Sequence, residues 1–161
     1  MITLYVGRFQ PFHNGHFHDV KKALSFSGSL IIAIGSSQEN NTKLNPFSFA
    51  ERKEMIERAI GKRARIIAIP DVNNDEIWLS NLKSMAGHFD ALYTGNERVK
   101  RIFESNGLTV KDVEILEGIS STKIRNKMHN GEEWKSMVPD DVAKYLSEIG
   151  AAERIAGFSE E

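Results

Sequence analysis

Short β-branched runs alternate with amphipathic segments along most of this chain, and that alternation restricts the fold more than any other feature. Ile2 to Val6, Leu30 to Ile34, Arg65 to Ile69 and Ala91 to Tyr93 read as strands. Helical patterns stand between and after them at His16 to Phe26, Phe49 to Ile60, Glu76 to Met85 and Glu97 to Glu104. A strand and helix repeat of this kind builds an α/β fold, a doubly wound parallel sheet with helices on both faces. The first two strands are apolar enough to lie centrally. Helix ends carry matching punctuation. Ser48 with Glu51 forms a capping box, Gly61 and Gly87 occupy C-terminal positions, and Asn106-Gly107 closes the fourth helix. A fifth strand is expected near Val113 to Leu116, followed by helices only: Ser121 to Met128, Glu132 to Met137, and Asp140 to Ile149 behind Pro139.

Those last helices read as a small C-terminal subdomain, 118–158, docked on a core of 1–117. No Gly, Ser or Pro linker separates them, so 1–161 is expected to be one domain. A chain of 161 residues buries about two-thirds of its unfolded surface, enough for a real core. The final Ser159-Glu160-Glu161 are expected to fray.

Charge and composition exclude several classes. Twenty-one Lys and Arg nearly balance 22 Asp and Glu, so no basic surface argues for nucleic acid. There is no cysteine, hence no disulfide or thiolate metal site. The longest apolar run, Leu30 to Ile34, is far too short to span a bilayer, and no signal segment stands at the N-terminus. The expectation is a soluble, cytoplasmic protein without membrane partners, whose phosphate chemistry, if any, is local.

In an open parallel sheet, ligands bind beyond the carboxyl ends of the strands. The segments after Val6, Ile34, Ile69, Tyr93 and Leu116 are therefore expected to gather there. The first of them is Gly7-Arg8-Phe9-Gln10-Pro11-Phe12-His13-Asn14-Gly15-His16. Its glycines permit close backbone approach, and His13 and His16 can present two imidazoles to one bound group at a helix start. Standing alone, the two histidines read more readily as satisfied surface or capping side chains. A zinc set of His13, His16 and His18 is weaker, because no cysteine or nearby glutamate completes it. The segment after Leu116 is Ile119-Ser120-Ser121-Thr122-Lys123-Ile124-Arg125. Hydroxyls and free backbone N–H groups at a helix N-terminus, with two cations within a turn, form a polyphosphate grip. By itself this segment is also an ordinary Ser/Thr cap.

The two segments together resemble the nucleotidyltransferase superfamily. His13-Asn14-Gly15-His16 matches its H-x-G-H motif, and Ile119 to Arg125 matches its second phosphate motif. Within it, Gly7 to His13 resembles the nicotinamide-nucleotide adenylyltransferases of archaeal type. Gly35-Ser36-Ser37-Gln38, Asn45-Pro46-Phe47, Glu51-Arg52, Trp78, Thr94-Gly95-Asn96 and Glu153-Arg154-Ile155 fall in the family's order. The resemblance implies a Rossmann-like domain that transfers AMP from ATP to nicotinamide mononucleotide, giving NAD and pyrophosphate, in a homo-oligomer of hexameric form. A phosphate monoester has a second pKa near 6, so the attacking oxygen is already ionised and needs no strong base. Catalysis then reduces to positioning and charge neutralisation.

The resemblance also implies roles. His13, His16, Arg8 and Arg125 are the catalytic donors around the reacting phosphates. Gly7, Phe9, Gly15, Thr94, Gly95, Asn96, Ser120, Ser121 and Thr122 bind ATP, and Mg2+ bridges phosphate oxygens while held by substrate and water. Trp78 stacks on the nicotinamide ring, which favours an indole face because the ring is cationic. Asp71, Asp75, Arg52 and Ser36 complete the mononucleotide side. Relatives usually carry asparagine where Asp75 stands. An aspartate accepts from an amide nitrogen but cannot donate to its oxygen, which leaves the choice between amide and acid mononucleotides open.

Sister adenylyltransferases acting on nicotinate mononucleotide, pantetheine phosphate or FMN, and a cytidylyltransferase, are the nearest alternatives. A non-catalytic nucleotide sensor predicts the loss of His13, His16 or Arg125, and all three are present. An RNA-binding fragment related to class I synthetases would want a basic stripe with interleaved aromatics, which the charge balance does not supply.

Overall fold

Five parallel strands form one sheet in the computed structural model, which describes residues 1–158. They are β1 (Ile2–Gly7), β2 (Ser29–Ile34), β3 (Arg65–Ala68), β4 (Ala91–Thr94) and β5 (Val110–Asp112), in the order β3-β2-β1-β4-β5. Tyr5 pairs with Ile32 on one side and Tyr93 on the other, so β1 is central. That position requires apolar side chains on both faces, which is why Leu4, Tyr5 and Val6 are all buried. The helices are α1 (Asn14–Phe26), α2 (Phe49–Ile60), α3 (Asp75–Ala86), α4 (Glu97–Ser105), α5 (Ser121–His129), α6 (Asp140–Glu148) and α7 (Ala151–Ala156), with a 3₁₀ turn at Lys135–Met137.

The chain divides into two compact units. The first comprises Met1–Arg8, Asp19–Gln38 and Lys62–Ile115, and holds the whole sheet with α3 and α4. On one sheet face Leu4, Val6, Ile31, Ala33 and Leu92 form a core with Trp78, Leu79 and Leu82 of α3 and Val99, Ile102 and Phe103 of α4. On the opposite face the Tyr5 hydroxyl donates to Asp19 Oδ2 of α1 at 2.7 Å, and Phe26 of α1 meets Tyr93 edge-on. Helices therefore cover both faces, as a doubly wound sheet requires. Burial and, secondarily, the Asp19 carboxylate raise the Tyr5 hydroxyl well above the usual tyrosine range.

The second unit comprises Phe9–His18, Glu39–Gly61 and the chain from Leu116 onward. It contains α2, α5, α6, α7 and the first turn of α1. The Ser48 and Glu51 capping box is present as expected, with Ser48 N–H on Glu51 Oε1 at 3.0 Å and Glu51 N–H on Ser48 Oγ at 3.2 Å. The same Glu51 takes a two-pronged ion pair from Arg154 of α7, both contacts at 2.8 Å. Arg154 also donates to Pro46 O at 3.1 Å and lies over the Phe47 ring. The family-like Asn45-Pro46-Phe47, Glu51 and Arg154 segments thus form one structural brace.

Four expectations are corrected by the structure. The fifth strand lies at Val110–Asp112 and not at Val113 to Leu116, because the edge pairing Leu92↔Val110 to Thr94↔Asp112 sets its register. Ile115 in the apolar run is 82% exposed. The helix expected over Glu132 to Met137 is only the 3₁₀ turn, with Ser136 N–H and Oγ held by the Glu133 carboxylate. A separate short helix, α7, follows Gly150, whose φ of 67° breaks it from α6. The first helix starts at Asn14, two residues earlier than its apolar pattern, for a reason given below. Ser159–Glu161, expected to fray, lie outside the described residues. Among the described residues no helix is long and apolar enough to cross a membrane.

Candidate active site

The turn that leaves Arg8 is held open by its own side chains. Phe9 has a φ of 56°, and its ring meets His16 edge-on with centroids 4.8 Å apart. Gln10 is buried and exchanges two hydrogen bonds with Phe47, donating to its carbonyl at 3.0 Å and accepting its N–H at 2.9 Å. The backbone of the turn is thereby fixed to the segment before α2.

The two histidines then build a reciprocal cap on α1. His13 Nδ1 accepts from the N–H of Gly15 at 3.0 Å and of His16 at 3.4 Å, while His16 Nδ1 accepts the N–H of His13 at 3.1 Å. This is the logic of a capping box with imidazoles in place of hydroxyl and carboxylate, and it explains the early helix start. The rings stack with centroids 3.6 Å apart and planes 23° from parallel. Because each Nδ1 must present a lone pair, each neutral ring carries its proton on Nε2. Burial pulls His13 down to about 4, and burial plus the neighbouring His13 holds His16 well below the usual range. Both are neutral N–H donors at pH 7. Gly15 is required by the same packing: a Cβ there would stand 2.8 Å from His13 Cε1 and 3.0 Å from Nδ1.

The second phosphate-type motif packs on this turn. Ser120 caps α5, accepting the N–H of Lys123 at 3.1 Å. Ser121 Oγ donates to Pro11 O at 3.0 Å. Arg125 is buried, with Nη1 on Gln10 O at 2.8 Å and Nη2 on Thr122 Oγ1 at 3.3 Å. The first-turn N–H groups of Ser121 and Thr122 have no intrahelical acceptor, as at any helix start. The structure therefore brings His13, Gly15 and His16 together with Ser120, Ser121, Thr122 and Arg125 in one cluster of donors. Arg52, expected on the acceptor side, is fully buried in this unit and donates to Ser48 O at 3.2 Å and Glu39 O at 3.3 Å.

A separate cavity of about 220 Å³ opens at the carboxyl ends of β1, β2 and β4 and is floored by Val6, Val99 and Ile102. The strand order reverses between β1 and β4, which is where such sheets bind ligands. Arg8 and Gly7 line it after β1, Gly35 and Ser36 after β2, Asp71 after β3, and Asn96 and Arg98 after β4, with Trp78 of α3 as its aromatic wall. Four of the five segments expected to gather do so here. Ser36 donates to Asp71 Oδ1 at 3.1 Å and Gln38 to Oδ2 at 3.0 Å, while Asp71 N–H returns a bond to Gln38 at 3.1 Å. Trp78 is 6% exposed and belongs equally to the core. Thr94 and Asn96 are committed locally: Thr94 Oγ1 donates to Val6 O at 3.1 Å and accepts Asn96 N–H at 3.2 Å, and Asn96 Oδ1 caps α4 through Val99 N–H at 3.1 Å. Gly95 is tight, since a Cβ would meet Val113 Cγ2 at 3.0 Å.

Asp75, one residue past the Asn74 cap of α3, is exposed and ion-paired with Arg98. Sequence reasoning passed over Arg98. Its signal was a cation in the first turn of a helix, where the dipole disfavours it. Gln10 was also missed as a positioning group, because its partner stands 37 residues away. Among the described residues no group of three or more His, Asp or Glu is arranged to hold a metal.

Comparison with known proteins bears on the same residues. A family model described as cytidylyltransferase-like matches residues 4–127. The chain is similar to a nicotinamide-nucleotide adenylyltransferase of Picrophilus torridus, 41% identical over 99% of this chain and 98% of the relative. A protein of the same name from Thermococcus onnurineus is 40% identical over 94% of this chain and 85% of its own length. In structure it resembles a bifunctional NMN adenylyltransferase/ADP ribose pyrophosphatase from Francisella tularensis, with a TM-score of 0.84 at 25% identity, covering 96% of this chain. A second structure of that description, complexed with AMP and Mn ion, gives a TM-score of 0.77. The chain spans about half of each of those two chains. The H-x-G-H cap, the Ser-Ser-Thr helix start and the identity to these relatives lead to one conclusion: the chain belongs to the nicotinamide-nucleotide adenylyltransferases of the nucleotidyltransferase superfamily.

Proposed function

We propose that the protein transfers AMP from ATP to nicotinamide mononucleotide. A phosphate oxygen of the mononucleotide attacks the α-phosphorus, the bond from α-phosphorus to the bridging oxygen breaks, and pyrophosphate leaves with NAD as the other product. The observation that carries this reading is the reciprocal histidine cap, which supplies two neutral N–H donors beside a helix start rich in further donors. The attacking phosphate is largely ionised above its second pKa near 6, so the reaction needs donors for developing charge and not a base.

On this reading His13 and His16 donate through Nε2–H to the α-phosphate region and the departing pyrophosphate. Arg125 adds fixed positive charge, Arg8 adds more near the reacting phosphates, and the Ser121 and Thr122 N–H groups hold the β- and γ-phosphates with Ser120. Gly7, Phe9, Gly15, Thr94, Gly95 and Asn96 shape the nucleotide side. Trp78, with Asp71, Ser36, Asp75 and Arg52, serves the mononucleotide. A divalent ion enters with ATP as part of the substrate, and Mg2+ is the ion proposed. The purified protein, given Mg2+ and ATP with nicotinamide mononucleotide, should release pyrophosphate and form NAD. Pantetheine phosphate and FMN should give none. Release with either of those, or none with a pyridine mononucleotide, refutes the reading.

A further inference from the structure

We infer that Gln10 is a positioning residue for Arg125: its side-chain amide and its own carbonyl together set where the guanidinium stands relative to the segment before α2. The inference rests on the reading of Arg125 as a donor to the reacting phosphates. Gln10 is 1% exposed and Arg125 5%. The Gln10 amide donates to Phe47 O at 3.0 Å and accepts Phe47 N–H at 2.9 Å, so one side chain satisfies both backbone groups of one residue. The carbonyl of Gln10 accepts Arg125 Nη1 at 2.8 Å, and the next carbonyl, Pro11 O, accepts the Ser121 hydroxyl at 3.0 Å. Gln10 is therefore a joint, with the segment before α2 on its side chain and α5 on its backbone. A cavity of about 600 Å³ is lined by both, through Thr42, Lys43 and Asn45 from the one and Thr122 and Arg125 from the other.

A staple alone would hold the segment before α2 and leave Arg125 to its own helix. The Thr122 bond does keep Nη2 within α5, but Nη1 reaches 115 residues back to the carbonyl whose direction the clamped amide fixes. Both of these acceptors are neutral. They orient the guanidinium without cancelling its charge, as a carboxylate would, and so leave that charge for an anion. A long side chain gives up rotamer freedom when it is ordered. Burial and the two bonds remove that freedom before substrate arrives, which is the condition for a preorganised donor.

The test is a double-mutant cycle in kcat over the wild type, Gln10→Met, Arg125→Met and the double variant, with NAD formation followed at saturating Mg2+, ATP and nicotinamide mononucleotide. Gln10→Met keeps the length of the side chain and loses both bonds to Phe47. Its kcat should fall about tenfold or more, since a misplacement of about 1 Å can cost a hundredfold. KM for the mononucleotide should change less than about threefold, as expected when an interaction made only in the transition state is lost. Arg125→Met should lower kcat at least as much. Adding Gln10→Met to it should cost less than about threefold more, because nothing is left to aim. Gln10→Asn, one methylene too short to reach Phe47, should reproduce Gln10→Met and takes its place in the cycle if circular dichroism shows that variant unfolded. A folded Gln10 variant with kcat within about threefold of wild type overturns the inference. So does a Gln10 change that still costs its full factor beside Arg125→Met, which is what a merely structural staple would give. Arg125→Met with wild-type kcat overturns it too, while leaving the reaction standing. Wild-type protein that forms no NAD overturns the reaction itself and this inference with it.

Discussion

Gly15→Ala is the sharpest perturbation of the histidine cap, because it adds one methyl group at a known place. The new Cβ would stand 2.8 Å from His13 Cε1 and 3.0 Å from Nδ1, where carbon atoms pack at roughly 3.5–4.0 Å. Relief requires the His13 ring to swing away by most of an ångström. That movement breaks the bonds from Gly15 and His16 N–H to Nδ1 and parts the stacked rings. Losing such a cap costs about 1 kcal/mol, and an off-rotamer imidazole costs about 1 kcal/mol more. A total near 2 kcal/mol lowers Tm by about 4–8 °C in a chain of this size. The kinetic effect should be larger, since misplacing one preorganised donor costs on the order of a hundredfold in kcat. Gly28→Ala is the matched control: its Cβ would meet nothing nearer than Met1 O at 3.8 Å, so both kcat and Tm should hold. Pyrophosphate release under saturating substrates and thermal unfolding by circular dichroism read the two effects. A Gly15→Ala enzyme with kcat within threefold of wild type would show that the cap does not aim the catalytic donors.

Three further outcomes follow from the same structure. His13 titrates near 4 in the folded chain against 6.5 for an ordinary histidine, so the unfolded chain binds a proton that the folded one refuses. Its contribution is complete above pH 6.5 and is lost as pH falls towards 4; at about 1.4 kcal/mol per unit roughly 2 kcal/mol is gone by pH 5. Urea midpoints at pH 7 and 5 should therefore converge in His13→Asn relative to wild type, and an unchanged gap would contradict the assignment. Breaking the Glu51–Arg154 pair, whose side chains are 21% and 27% exposed, should cost about 1–3 kcal/mol. A double-mutant cycle with Glu51→Gln and Arg154→Met measures the coupling, and additive effects would refute the brace. Trp78→Ala should cost about 3–5 kcal/mol because the ring belongs to the core; Trp78→Phe should stay folded while raising KM for the mononucleotide and leaving KM for ATP alone.

What the sequence made legible was whatever a short window contains. β1 and β2 announce themselves because a strand buried on both faces is apolar throughout. The Ser48 and Glu51 box is visible because both partners lie within one turn. β5 was misplaced because an edge strand is defined by its pairing with β4, and Val110–Asp112 carries no apolar signal of its own. In the site, Gly7, Arg8, Ser36, Asp71 and Asn96 were legible as strand-end residues and Trp78 through the family resemblance, and they do line one cavity. Arg98, which lines the same cavity, was not, since its ion-pair partner Asp75 stands 23 residues away on another helix. Nor was the bond from the Ser121 hydroxyl to Pro11 O, whose two ends stand 110 residues apart. The histidines were read as ligands or caps, as alternatives. They are caps, and capping with Nδ1 is what frees Nε2–H to donate.

That coupling bears on why the site uses neutral imidazoles. Burial, mutual proximity and the three backbone N–H groups aimed at the Nδ1 atoms all oppose a second proton. Imidazolium ions would attract the triphosphate more strongly, but they would do so in the ground state as well as the transition state, which tightens binding without raising kcat. Neutral donors fixed at both ring and backbone are poor substitutes for a cation at rest. They need no reorganisation when negative charge builds on the leaving oxygen. In the proposed reaction the nucleophile arrives already ionised, so nothing is lost by giving up proton transfer. The helix start, the glycine and the two histidines then serve one end, which is to hold two N–H groups still.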